Sequence, residues 1–227
     1  MVNYFKYDTS LEWADEVAEH IAIALASDIR KYGRASVALS GGNSPKVFLE
    51  KLASYRLAWE NVVITLVDER HVPHDHEASN ERLIREFFLE KGAGATKFIP
   101  LYRDAEIVQN VAILNQNMIL NDIHYSVIVL GMGEDGHIAS LFPMSDNIDV
   151  GLFDPINLYS HQIAPDFPED RITMNLCAFA ECKKIFIPIL GEKKAILMER
   201  AREHIDRDLP ISFVLSTYGD KVTIFEA

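Results

Sequence analysis

Cysteine is nearly absent: Cys177 and Cys182 are the only two in 227 residues. They lie close together in an apolar segment, and the opening MVNYFKYDTS has neither the basic start nor the apolar core of an export signal. Two reduced core thiols in a cytoplasmic protein are therefore expected, not a disulfide. Long hydrophobic runs are missing too. None approaches the roughly 20 residues that span a bilayer, so no membrane partner is expected. Basic residues are outnumbered, 22 Lys and Arg against 34 Asp and Glu, for a net charge of −12. Binding along a nucleic-acid backbone is driven by Lys/Arg patches, which argues against nucleic acid as a partner. A small phosphorylated ligand stays open, since it needs a few local donors and no basic surface. There is no repeat, low-complexity tail or composition break. The chain reads as a single domain over residues 1–227, long enough to bury a real core.

What is present is an alternation of strand and helix patterns. Residues 2–7 suit a short edge strand. Thr9-Ser10-Leu11-Glu12 has capping-box spacing and opens a helix to about Lys31. Its apolar positions Trp13, Val17, Ile21, Ala24, Leu25 and Ile29 fall on one stripe, and Gly33 ends it. Further strands are expected over 36–40, 61–67, 97–101, 127–130, 171–175 and 184–190, and closing strands over 211–216 and 221–225. Helices are expected from Pro45, over 80–91 with Ser79 as cap, over 104–122, and from the turn after 190 to about 204. Residues 144–170, rich in Pro, Asp and Asn, read as a long loop with one strand at 159–164, of the kind that covers or lines a site. The fold class is α/β: a doubly wound, mostly parallel, Rossmann-like sheet with helices on both faces.

Four strand ends carry polar groups. The first is Ser40-Gly41-Gly42-Asn43-Ser44-Pro45, where Ser44 suits an N-cap and Pro45 the first helical position. A glycine turn running into a helix N-terminus makes an anion site, although the Walker A spacing is absent. The second is Asp68-Glu69-Arg70, three charges that are costly at the end of a buried strand unless they face a polar cleft or one another. The nearby His71, His74 and His76 suggest a metal cluster. Pro73 breaks helical pairing there and no fourth-ligand spacing follows, so a solvated loop without metal is expected. The third is Tyr125–Pro143, YSVIVLGMGEDGHIASLFP. Its glycines spell G-x-G-x-x-G, but neither the helix nor the acid-ended second strand of a dinucleotide site follows. It places the imidazole of His137 just past a buried strand, and His137 is read as the reactive group. The fourth is Gly191-Glu192-Lys193-Lys194, where a lysine can reach a phosphate. In a doubly wound sheet such ends share one edge, and hence one crevice.

Together SGGNSP, VDER-VP with Asn80 following, LGMGEDGHIASLFP and GEKK resemble 6-phosphogluconolactonase, of the superfamily that also contains glucosamine-6-phosphate deaminase. The resemblance spans nearly the whole chain. It implies the deaminase/lactonase type of fold and hydrolysis of a phosphorylated sugar lactone without cofactor or metal, in a monomer or small homo-oligomer. It further implies His137 as general base, with Asp68 orienting or charge-stabilising the imidazole. Gly41, Gly42, Ser44, Arg70, Gly133 and Lys194 would hold the substrate and its phosphate, with Arg171 at the pocket wall. Backbone N–H groups of the glycine turns are candidate oxyanion donors. Deaminase-like members resemble GHIAFNEP. Here Phe142 stands where their glutamate would be, which favours the lactonase branch. The rival readings are a deaminase/isomerase and a non-catalytic sugar-phosphate sensor.

Overall fold

The computed structural model describes residues 2–121, 123–143 and 145–227, with the backbone alone for 118–121. Helix α1, Ser10–Tyr32, is built as its capping box predicts: Thr9 accepts from the Glu12 amide, and Gly33 closes the helix at φ 73°. Its apolar stripe is buried from Trp13 to Leu25 and partly so at Ile29, and Trp13 sends its indole N–H 3.0 Å to the carbonyl of Phe225. That bond ties the first helix to the last strand. The partner of a buried indole must lie inside the protein, since burial without one costs on the order of 1–3 kcal/mol.

Seven parallel strands form the main sheet: β1 (Asn3–Lys6), β2 (Ala35–Leu39), β3 (Val62–Leu66), β5 (Lys97–Phe98), β6 (Val127–Val129), β9 (Ile185–Ile189) and β10 (Val222–Glu226). Their spatial order is β1-β10-β9-β6-β2-β3-β5. From β2 the chain builds outward through β3 to β5, then returns to the other side of β2 for β6, β9 and β10. The order therefore reverses between β2 and β6, and ligands gather beyond the strand ends at such a switch point. The central strands are buried along their whole length, which is why they read as unbroken apolar runs. Pro188 is tolerated inside β9 because the β6 ladder stops at Val129↔Phe186, before reaching it.

A second, antiparallel sheet of three strands was not expected. It comprises β4 (Asp68–Arg70), β8 (Asp170–Met174) and β7 (Tyr159–Ile163), in the order β4-β8-β7. The chain leaves the main sheet at Val67. The Val67 amide still donates to Leu39 at 2.9 Å, while its carbonyl accepts from Met174 at 2.8 Å. Asp68-Glu69-Arg70 is therefore not a frayed strand end but a strand of its own. Much of the 144–170 segment is structured, by β7 and helix α5 (Ile148–Phe153). Met144 lies outside the described residues.

The remaining helices are α2 (Pro45–Ala53), α3 (Asn80–Ile84, widening into π-helical turns over Arg85–Ala93), α4 (Ile107–Asn121), α6 (Glu192–Glu203) and α7 (Ile211–Tyr218). Helix α4 starts three residues later than expected, and Asp122, its expected end, lies outside the described residues. Helix α7 corrects the strand expected over 211–216. Short apolar runs do not distinguish helix from strand by pattern alone. Here Pro210, already at φ −53° and ψ −29°, sets the first turn, and Ile211, Val214 and Leu215 bury one helical face. Both cysteines are free; Cys182 is buried and Cys177 partly so.

Candidate active site

At the switch point Ser40 fastens two strand ends together. Its hydroxyl donates to the Val129 carbonyl at 3.0 Å and accepts from the Gly131 amide at 2.9 Å. The loops leaving β2 and β6 are thus held side by side, and between them opens a cleft of about 230 Å³. Its lining includes Gly41, Gly42, Ser44, Asp68, Arg70, Gly133, His137 and Lys194. Two of the four polar strand ends therefore contribute from loops, the second supplies Asp68 and Arg70 from β4, and the fourth supplies Lys194 from the start of α6. Arg171 is the one expected site residue outside this lining. It lies opposite Arg70 in the β4–β8 ladder, buried, with its guanidinium on the Asp166 carbonyl.

The Gly41-Gly42 turn is required on two counts. Gly42 sits at φ 101°, in the left-handed region, and a Cβ on Gly41 would overlap the side-chain amide of Asn80. Pro45 takes the first position of α2 as expected. Ser44 does not cap it: its backbone is already helical (φ −60°, ψ −38°) and its side chain makes no capping bond. The N-terminus of α2 thus has no side chain satisfying its amides, which leaves the positive end of the helix dipole available to an anion.

The Gly131–Leu141 loop folds back on itself. The Gly133 amide donates to the His137 carbonyl at 2.9 Å, and Gly136, at φ 82°, donates to the Gly133 carbonyl at 3.2 Å. No helix follows these glycines directly; the next is α5, from Ile148. The amides of Gly131 and Gly133 are already committed, so they are not the free oxyanion donors the sequence suggested. A Cβ on Gly133 would overlap the His137 ring. Ala139, also in the lining, adopts φ 49°, a strained conformation for a residue with a Cβ.

His137 Nδ1 lies 2.6 Å from Asp135 Oδ1, and the same oxygen accepts from the His137 amide at 3.1 Å. An ionised carboxylate only accepts, so this contact places the ring proton on Nδ1 and leaves Nε2 as the acceptor. Burial pushes the Asp135 carboxyl up, but hydrogen bonding and charge from His137 outweigh it and draw it down to about 2. The other side of the ring meets Phe142, with centroids 4.6 Å apart. Asp68, expected to orient the imidazole, is engaged elsewhere: its Oδ2 accepts from the Ser140 hydroxyl at 2.6 Å. The partner of the histidine is thus the aspartate two residues before it. An Asp at i−2 able to bond the amide of residue i is the local signal that marks it.

The two lysines of the GEKK turn separate. Lys193 is exposed and pairs with Glu134 at 2.7 Å. Lys194 lines the cleft, and burial pushes its ammonium below its ordinary range. Lys194 makes no ion pair among the described residues. An unpaired, partly desolvated cation in the same cleft as Arg70 and the start of α2 suits an anionic group. Among the described residues no cluster of three His, Cys, Asp or Glu could hold a metal ion, and no helix is long and apolar enough to cross a membrane.

A family model described as glucosamine-6-phosphate isomerases/6-phosphogluconolactonase matches residues 8–224. A protein of Neisseria meningitidis named 6-phosphogluconolactonase is 34% identical over 233 residues, covering 100% of both chains. One of Pseudomonas putida with the same name is 38% identical over 193 residues, 83% of this chain and 76% of that one. The crystal structure of a 6-phosphogluconolactonase from Shewanella baltica matches with a TM-score of 0.93 and 30% identity, covering 100% of this chain and 97% of that one.

Proposed function

The chain belongs to the glucosamine-6-phosphate isomerase/6-phosphogluconolactonase family, and on that premise we propose that it hydrolyses 6-phospho-D-glucono-1,5-lactone to 6-phosphogluconate. The proposal places this step in the cytoplasm, in the oxidative pentose phosphate pathway. The observation that carries it is the Asp135–His137 pair at the edge of a cleft that also holds Arg70 and Lys194. The phosphate docks against Arg70, Lys194 and the Gly41–Ser44 turn at the start of α2. Binding energy from this remote group fixes the lactone carbonyl next to the imidazole. His137 Nε2 takes a proton from a water whose oxygen adds to C1. The tetrahedral intermediate then expels the ring oxygen, which recovers the proton from the imidazolium, so one water is added and no other reactant is needed. Asp135 keeps the proton on Nδ1 throughout and stabilises the cation formed midway.

Phe142 packs against the imidazole at the position where the deaminase-like motif carries a carboxylate, which argues against the isomerase branch. A pure sensor would need the anion cradle but not the paired imidazole. The test is a stopped assay of lactone disappearance against an enzyme-free blank, because this lactone also opens unaided in water. Acceleration above the blank is expected. Ammonia release from glucosamine 6-phosphate, with no acceleration of lactone opening, would establish the rival enzyme.

A further inference from the structure

Glu69 is completely buried beneath the cleft and takes no part in the chemistry described above. Its carboxylate accepts four hydrogen bonds. Oε1 receives the amides of Arg70 at 2.8 Å and Asn80 at 2.7 Å; Oε2 receives the amide of Glu81 at 2.7 Å and the Ser79 hydroxyl at 3.1 Å. Two of these donors, Arg70 and Asn80, belong to residues of the cleft lining. Arg70 ends β4 and Asn80 starts α3, ten residues further on, so one side chain clamps two separate segments. The second segment is then locked from its other side. Asn80 Nδ2 donates to the Asp68 carbonyl at 2.8 Å, and its amide fills the space a Gly41 side chain would need. Arg70, Asn80 and the Gly41 turn thereby form one connected wall with Glu69 at its root.

We infer that Glu69 is the positioning residue of the phosphate-binding wall, setting where Arg70 and Asn80 stand relative to the Gly41–Gly42 turn. The inference rests on the reading of that wall as the phosphate site. All four partners are donors, so only the ionised carboxylate satisfies them all; a carboxamide must turn its NH₂ against two of them. Burial pushes the Glu69 carboxyl up to about 7, against the pull of the backbone donors and with Asp68 adding to the rise.

The experiment compares Glu69→Gln, Ser79→Ala and Arg70→Ala with the parent enzyme at pH 8, on 6-phosphogluconolactone and on unphosphorylated gluconolactone. Glu69→Gln is expected to raise KM for the phosphorylated lactone roughly tenfold, the scale of one or two lost bonds to a charged group. Its kcat should stay within about twofold, and the unphosphorylated lactone should be nearly unaffected. Ser79→Ala removes one of the four donors and should raise the same KM about two- to threefold; it carries the test should the Gln variant not fold. An unchanged KM in both variants while Arg70→Ala raises it would overturn the positioning role and leave the phosphate reading standing. If Arg70→Ala affects both lactones alike, the phosphate reading itself fails. A drop in kcat equal for both substrates would mean that Glu69 acts on the fold alone.

Discussion

Asp135 Oδ1 and His137 Nδ1 are 2.6 Å apart, and the carboxylate that does this is the nearer in sequence of the two acids available. Asp68 faces the same cleft but is held by Ser140. The ring partner of the proposed base therefore comes from the Gly131–Leu141 loop itself, which Ser140 in turn fastens to the second sheet through Asp68 and Thr173.

Replacing Asp135 with Asn removes the negative charge that favours the proton on Nδ1 and introduces an NH₂ donor that can face the ring instead. The imidazole can then present the wrong tautomer. Asp135→Asn is expected to lower kcat by about 10²-fold or more with KM little changed, because general-base catalysis is worth roughly 10²–10⁴. In the parent enzyme Asp135, drawn down to about 2, remains ionised across any practical assay range. The pH–rate profile should accordingly show no limb from this carboxyl above about pH 3, and a titration near 4 assigned to Asp135 by NMR would contradict the pairing.

Gly133→Ala places a methyl group where the His137 ring lies. The ring must move, while the packed strands below are untouched. The expected result is a large loss of kcat with an unchanged circular dichroism spectrum and a melting temperature within a few degrees of the parent. Full activity would show that the ring position is not critical.

The GEKK turn gives an internal control. Lys194→Ala should raise KM for the phosphorylated lactone, by roughly ten- to a hundredfold if a desolvated charge contact to phosphate is lost. Lys193→Ala, which removes only an exposed pair with Glu134, should leave both constants nearly unchanged. Equal effects from the two would contradict the separation of these side chains.

Much of this site was legible in the sequence because parallel strands buried on both faces announce themselves as apolar runs, and their ends are where polar residues are out of place. Gly41, Gly42, His137 and Arg70 stand at such ends, whereas Lys194 was singled out from Lys193 only by the family resemblance; the switch point brings them all to one cleft. What the sequence hid are contacts made across the fold or decided by small geometric margins. The second sheet was missed because β4 is three residues long and pairs with a strand a hundred residues later. Ser44 looked like a cap and is not one, since the backbone enters the helix one residue early. Asp68 looked like the partner of the imidazole because it is a strand-end acid, yet the contact went to Asp135, whose local turn is tighter. Ile211–Ser216 looked like a strand because a short β-branched run carries no reliable period, and Pro210 decided the matter.

The buried Glu69 also gives a pH dependence of stability. Burial raises its carboxyl from an ordinary value of 4.5 to about 7, so ionising it in the folded state costs stability even though four donors receive the anion. The corresponding stabilisation is fully present below about pH 4.5 and is lost as pH rises through about 7, amounting to on the order of a few kcal/mol. Denaturant unfolding should show the parent losing stability between pH 5 and 8, and Glu69→Gln should flatten that slope. A parent whose stability rises across this interval would contradict the assignment.

The central claim is that His137 activates water in the cleft between β2 and β6. It is tested most directly by His137→Ala assayed on 6-phosphogluconolactone, corrected for the enzyme-free rate. The expected result is a fall in kcat of roughly 10²–10⁴-fold with binding of the product 6-phosphogluconate preserved. Turnover near that of the parent enzyme would take the imidazole out of the reaction.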